Sequence, residues 1–282
     1  MSARKEKLKL LSEIELTGGT LVKSENLDFL KSFHQELKEK IELIYIDPPF
    51  FTQKDFYTSD KYKYQKQPKV KEIAYQDKWG GSIENYLVFM RERLFLMREL
   101  LSESGSLYLH CDYRTSAHLR ILLEEVFGEK NYINEIIWFY KTGGMPKGLG
   151  FAKKHDTIHF VTKNHKKATW NPQREKSYLS HKYGFKNIDL KEDEAGIYNL
   201  VGMRDVWEIP ALRGNQPERL NYPTQKPEVL LERIILASTK KDDVVADFFA
   251  GSGTTGAVAK RLGRKWLLVD QGDCLLYTSP SP

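Results

Sequence analysis

The run Ile-Glu-Leu-Ile-Tyr-Ile at positions 41–46 ends abruptly in Asp47-Pro48-Pro49-Phe50. It is short, apolar and β-branched, the pattern of a buried strand, and the prolines stop it. A carboxylate and an aromatic ring are thereby held on a stiff turn at a strand's C-terminal end. Asp47 and the Pro48 carbonyl can accept hydrogen bonds, Pro49 brings no backbone donor, and Phe50 offers a flat face. Such a set suits a planar ring bearing an exocyclic NH2, as in adenine or cytosine. Upstream, Thr20-Leu21-Val22-Lys23 reads as a strand, and Leu27, Leu30, Phe33 or His34, and Leu37 recur at helical spacing. Strand, helix and strand in this order make a right-handed crossover in a parallel sheet, so the fold class is α/β.

A second strand with a functional end lies two hundred residues on. Val244 to Phe249 runs into Ala-Gly-Ser-Gly-Thr-Thr-Gly at 250–256, a helix follows through Arg261, and the strand Lys265–Val269 ends in Asp270. Glycines at the bend let a ligand approach the backbone, and the helix N-terminus offers unpaired N–H donors. Asp270 stands nineteen residues after Gly251, where an acid can grip ribose hydroxyls. Gly251 to Gly256 also matches the dinucleotide fingerprint, so a nicotinamide-dependent oxidoreductase is the rival reading. Against it, the motif leaves little chain for a second mononucleotide half, no Tyr-Lys pair stands out, and the Asp47 turn would go unused. The nucleotide-like cofactor that remains, with a ribose and a charged tail, is S-adenosylmethionine.

Between these motifs, residues 51–79 mix Phe51, Phe56, Tyr57, Tyr62, Tyr64 and Tyr75 with lysines and show no period. This reads as a long binding loop suited to an unstacked nucleic acid strand. Leu87, Met90, Leu94, Met97 and Leu101 mark an amphipathic helix closed by Gly105, and residues 106–112 a strand. Leu119, Leu122, Leu123 and Val126 mark another helix. Residues 135–140 and 157–162 read as an antiparallel pair at a sheet edge. His110, His155 and His159 lack metal-ligand spacing and read as surface or satisfied histidines; no metal site is expected. Residues 163–221, basic, aromatic and proline-broken, read as an inserted recognition region, and Leu230, Leu231, Ile234 and Ile235 as one face of a further helix. From Lys141 to Lys186, eleven Lys/Arg face only Asp156 and Glu175, a local excess of nine in a chain whose net charge is +6. That asymmetry points to a polyanion, with Lys153, Lys154, Lys166 and Lys167 as candidate phosphate contacts. Two distant cysteines, no apolar signal core and no membrane-length run lead to the expectation of a cytoplasmic protein without membrane attachment.

On Asp47-Pro48-Pro49-Phe50, Tyr222-Pro223-Thr224-Gln225-Lys226-Pro227 and Asp247-Phe248-Phe249-Ala250-Gly251-Ser252-Gly253-Thr254-Thr255, the chain resembles the β-group of amino-directed DNA methyltransferases, the N6-adenine/N4-cytosine DNA methylases. Softer agreement comes from residues 26–30 and 104–112. The resemblance implies a circularly permuted Rossmann-like, S-adenosylmethionine-dependent methyltransferase fold with an inserted recognition region. The expected parts are an arm at 1–19, a target-base half at 20–162, a recognition region at 163–221, a cofactor half at 222–273 and a tail at 274–282 like a translated sequencing-adapter scar. Asp47, Pro48, Pro49 and Phe50 would be catalytic. Glu25, Asn26, Lys226, Asp247, Phe249, Gly251, Ser252, Gly253, Thr254 and Asp270 would hold the cofactor. The implied reaction is methylation of adenine N6 in double-stranded DNA with a flipped base, with cytosine N4, or a truncated DNA-binding module without activity, as alternatives. A homodimer and a cognate restriction endonuclease are implied partners. Two positions depart from the family: Phe248 stands where proline is usual, and Phe51 where asparagine is usual.

Overall fold

The computed structural model describes residues 16, 18–57, 73–77, 79–141, 148–179, 189–212, 216–220, 222 and 224–272, with the backbone alone at 54–57 and 73–76. The N-terminal arm (save residues 16, 18 and 19), Tyr62 and Tyr64 with their neighbouring lysines, and the 274–282 tail lie outside the described residues.

An eight-stranded sheet forms the centre. Its strands are β1 (Gly19–Lys23), β2 (Ile41–Ile46), β5 (Leu101–Cys111), β6 (Tyr132–Phe139), β7 (His155–Thr162), β11 (Val206–Glu208), β12 (Val244–Asp247) and β13 (Lys265–Asp270). They lie in the order β1-β13-β12-β2-β5-β7-β6-β11. Every pairing is parallel except the two made by β7, so β7 alone runs against the rest. The last two strands in sequence lie between the first two, which is the permutation the resemblance implied.

All six residues of β2 are buried, as its apolar composition requires for a strand covered on both faces. Ile44 and Ile46 face one layer, formed by α1 (Asn26–Ser32), α2 (His34–Leu37), α3 (Ile83–Leu100) and α4 (Ser116–Phe127); Leu43 and Tyr45 face the other, formed by α5 (Glu228–Ser238) and α6 (Thr254–Arg261). The expected 27–37 helix is broken at Phe33, which caps α1 and starts α2.

Three expectations are corrected. Gly105 does not end α3, which stops at Leu100; it lies inside β5, where a Cβ would sit 3.0 Å from the Ile41 carbonyl oxygen. The 51–79 stretch is not loop throughout, because β3 (Lys54–Tyr57) and β4 (Ile73–Asp77) pair antiparallel at its ends. Residues 163–221 are more regular than the prolines suggested. They form a separate three-stranded antiparallel sheet of β8 (Arg174–Tyr178), β9 (Lys191–Asp193) and β10 (Gly196–Gly202), and they give β11 to the main sheet, so β11 and not the β6–β7 pair is the edge.

Candidate active site

β2 and β12 are adjacent parallel strands, so Asp47 and Asp247 emerge side by side at their C-terminal ends, where open α/β sheets form their ligand crevice. A cavity of about 360 Å³ opens there. Its walls include Glu25, Asn26, Asp47, Pro48, Pro49, Phe50, Lys226, Asp247, Phe249, Gly251, Ser252, Thr254 and Asp270. Both halves of the chain thus meet in one site. Gly253, the other residue named from sequence, stands behind the wall as the N-cap of α6 with φ 77°, and Gly251 turns the loop at φ 51°. Those left-handed values explain the glycines.

Four carboxylates line this cavity against one lysine. Asp247 is buried and held by the Phe249 N–H (2.9 Å) and the Thr255 hydroxyl (2.6 Å). Burial outweighs those bonds, and with repulsion from Asp47 and Asp270 pushes its pKa up to about 7. Burial also raises Asp270, although the Gly272 and Gly251 N–H groups donate to it at 2.7 and 2.8 Å. A wall of this sign repels a pyrophosphate and attracts a cation. The Gly251 N–H, which a dinucleotide reading would aim at phosphate, is committed to Asp270.

At the Asp47 turn, Lys226 ion-pairs with Asp47 Oδ2 and donates to the Thr224 carbonyl at 3.1 Å. The lysine expected at the cofactor is thus held by the Asp47 carboxylate. Asp47 Oδ1 is buried with no hydrogen-bond partner. Buried polar atoms are rarely left so, and this one retains capacity for a further hydrogen bond. Behind it, fully buried His110 joins the Tyr45 hydroxyl at Nδ1 (2.9 Å) and Asp156 at Nε2 (3.2 Å); Nδ1 is 3.8 Å from Asp47 Oδ1. Burial alone would raise Asp156, but the His110 bond and charge and the Lys226 ammonium hold it below the usual carboxylate range.

Sequence reading missed these supports, since their signal is distance in the fold. It missed Arg93 too, which reaches from α3 to Glu25 (2.5 Å), Asn26 (2.6 Å) and the Phe89 carbonyl (2.9 Å). Asn26 in turn donates to the Phe248 carbonyl at 3.0 Å, tying the first helix to the glycine loop. Phe248 itself is core, 6.1 Å from Phe29 between ring centres, so the departure from proline alters packing behind the loop. Phe51 takes a φ of 59°, a conformation asparagine adopts more readily than phenylalanine. Buried Asp77 holds that turn, accepting from the Phe51 and Thr52 N–H groups at 3.0 and 2.6 Å and from Trp79 Nε1 at 2.7 Å.

The four candidate phosphate lysines do not form one surface. Lys153 and Lys154 precede β7 at the catalytic rim, with Lys153 Nζ 4.4 Å above the Tyr113 ring. Lys166 and Lys167 follow its far end, and Lys167 pairs with Glu103 at 3.0 Å. Seven residue steps along β7, roughly 23 Å, separate the two ends.

Comparison with known proteins gives one picture. The DNA methylase family model matches residues 41–278. The chain is 32% identical over 256 residues to the type II methyltransferase M2.DpnII of Streptococcus pneumoniae, covering 89% of this chain and 84% of that protein. It is 31% identical over 243 residues to the type II methyltransferase M.HpaI of Haemophilus parainfluenzae, covering 86% and 67%. Among solved structures, the M1.HpyAVI–S-adenosylmethionine complex superposes with a TM-score of 0.59 at 20% identity, covering 93% of this chain and 97% of that one. The cytosine-N4-specific PvuII DNA methyltransferase superposes at 0.57 and 18% identity, covering 90% and 82%.

Proposed function

The chain belongs to the N6/N4 DNA methylase family, S-adenosylmethionine-dependent DNA methyltransferases, and on that premise we propose that it methylates the exocyclic N6 amine of adenine in double-stranded DNA. The observation that carries this reading is that Asp47, Pro48 and Phe50 line one cavity with Asp247, Gly251 and Thr254, the Asp47 carboxylate being held there by Lys226. An exocyclic amine has two N–H groups and a lone pair delocalised into its ring. Accepted by Asp47 and the Pro48 carbonyl, those N–H groups hold the nitrogen pyramidal with its lone pair toward the methyl donor. Stacking on Phe50 holds a base that has left the duplex. Lys226 fixes the carboxylate so that little reorganisation is needed. S-adenosylmethionine, bound in the cavity, supplies an electrophilic methyl group on a sulfonium. Asp270 would grip its ribose, Glu25 and Asn26 would lie at its adenine, and the Asp247–Thr254 loop would enclose it. The negative wall suits its cationic centre.

Adenine is preferred because the tetrapeptide with aspartate is, by resemblance, commoner among adenine enzymes; cytosine N4 is the second reading, supported by the likeness to the PvuII structure. Mass spectrometry of nucleosides from DNA incubated with the protein and labelled cofactor decides between them. N6-methyladenine is the expected product, N4-methylcytosine would replace it, and no methylated base would refute both. A cognate endonuclease, a homodimer and a cytoplasmic location belong to the same proposal. Among the described residues no helix is long and apolar enough to cross a membrane.

Asp270→Ala is expected to weaken cofactor binding by about 1–3 kcal/mol, the usual effect of removing a charged partner from hydroxyl groups. Calorimetry checks it, and an unchanged dissociation constant would remove Asp270 from the ribose role. Neutralising Lys153 and Lys154 together should flatten the dependence of log affinity on log salt by about 0.9 per lost phosphate contact. Neutralising Lys166 and Lys167 should leave it unchanged, because they stand at the opposite end of β7. Equal slopes for the two double variants would show that position along β7 does not decide DNA contact.

A further inference from the structure

Leu149 and Phe151 are 109% and 99% exposed, more than any other large apolar side chain among the described residues. A lone exposed apolar residue needs no explanation. Here two stand one residue apart on the connection from β6 to β7. Gly150 between them has φ 117°, which a side chain at that position would resist. The base of the connection is anchored. The Tyr140 N–H donates to the Lys154 carbonyl at 2.9 Å, and Lys153 lies over the Tyr113 ring. Asp156, two residues beyond Lys154, is the carboxylate bonded to His110 behind Asp47. Five residue steps separate Phe151 from Asp156, at most about 17 Å of chain. Two exposed apolar side chains and two lysines therefore precede, within a few residues, the strand end that carries Asp156.

We propose that Leu149 and Phe151 form a wedge that enters the base stack of duplex DNA where the target base has been extruded. This rests on the reading that the substrate is duplex DNA with a flipped base. Extrusion breaks stacking on both sides of the target and leaves a gap of apolar faces, which leucine and phenylalanine side chains can fill. Lys153 and Lys154, close in sequence to the two apolar residues, meet the flanking phosphates, and their charge favours this occupant over a second copy of the same basic surface.

The experiment compares the parent, Leu149→Ala/Phe151→Ala and Phe151→Trp on a duplex that the parent methylates, and on the same duplex with an abasic site opposite the target. The residues are exposed, so thermal midpoint and cofactor affinity should not move. Single-turnover methylation of the intact duplex by the double alanine variant should fall about tenfold or more. On the abasic duplex, where extrusion meets less resistance, it should return to within about twofold of the parent. Phe151→Trp should track the parent on both. 2-Aminopurine at the target should brighten on binding the parent and much less on binding the double variant. Parent-like rates on intact duplex overturn the wedge. So does an equal loss on both duplexes, which marks a contact unrelated to extrusion, or a change of oligomeric state by sedimentation, which marks a surface between copies. A parent that methylates no DNA overturns the functional reading, and the wedge with it.

Discussion

Asp47→Ala is expected to abolish methyl transfer, with a loss of about 10³-fold or more in single-turnover rate, and to leave the dissociation constant for S-adenosylmethionine within about twofold of the parent. The split follows from the site's construction. Asp47 follows β2 and lines the cavity with Pro48 and Phe50, whereas Glu25, Asn26 and Asp270 end or follow the strands on the other side of β12. The substitution strands the Lys226 ammonium, which is only 12% exposed, so a modest fall in thermal midpoint accompanies the loss. Asp47→Asn retains the shape and removes the charge, and should lose activity nearly as far while keeping cofactor affinity. Parent-like turnover by either variant at saturating DNA would remove Asp47 from the chemistry. A matched fall in cofactor affinity would move it to the other half of the site.

Cofactor affinity should fall steeply as pH drops below 7, by about tenfold per pH unit at the limit, and level off above it. The cause is Asp247, whose pKa burial lifts to about 7 in the unliganded site. A cationic ligand favours the ionised carboxylate, so below pH 7 binding must also expel a proton. The same shift has the opposite sign for the stability of the unliganded protein. An unfolded aspartate has a pKa of about 3.9, so between about pH 4 and 7 the folded state binds more protons than the unfolded one. Stability from this group is therefore present at the acidic end and lost as pH rises toward 7. Calorimetric titrations from pH 5.5 to 8 test the first effect, and Asp247→Asn should flatten the profile. A dissociation constant independent of pH in the parent would show that the bound cofactor does not feel this carboxylate.

What the chain made legible was local. The apolar run before Asp47, the proline stop, the glycine bend before α6 and the acid at Asp270 each follow from short-range chemistry, and all appear where expected. The permuted sheet was legible only through the family resemblance that the motifs carried. Hydrophobic periodicity found α3, but it could not show that Arg93 on that helix would turn inward to hold Glu25 and Asn26, sixty-eight and sixty-seven positions away. Gly105 misled because a glycine after an amphipathic run also occurs where two strands approach closely. Charge counting marked a basic region but could not divide it, since β7 carries Lys153 and Lys167 to opposite ends of the sheet.

The sequence by itself determined the strand ends, the turn chemistry and the residue types that can meet an amine and a ribose. It did so because these depend on neighbours one to a few positions apart. Only the tertiary structure decided that Lys226 would clasp Asp47 across 179 positions, that His110 would stand between Asp156 and the Asp47 carboxylate, and that four acids would share one wall. Those arrangements depend on which strands lie side by side, and that order is set by burying both faces of one sheet.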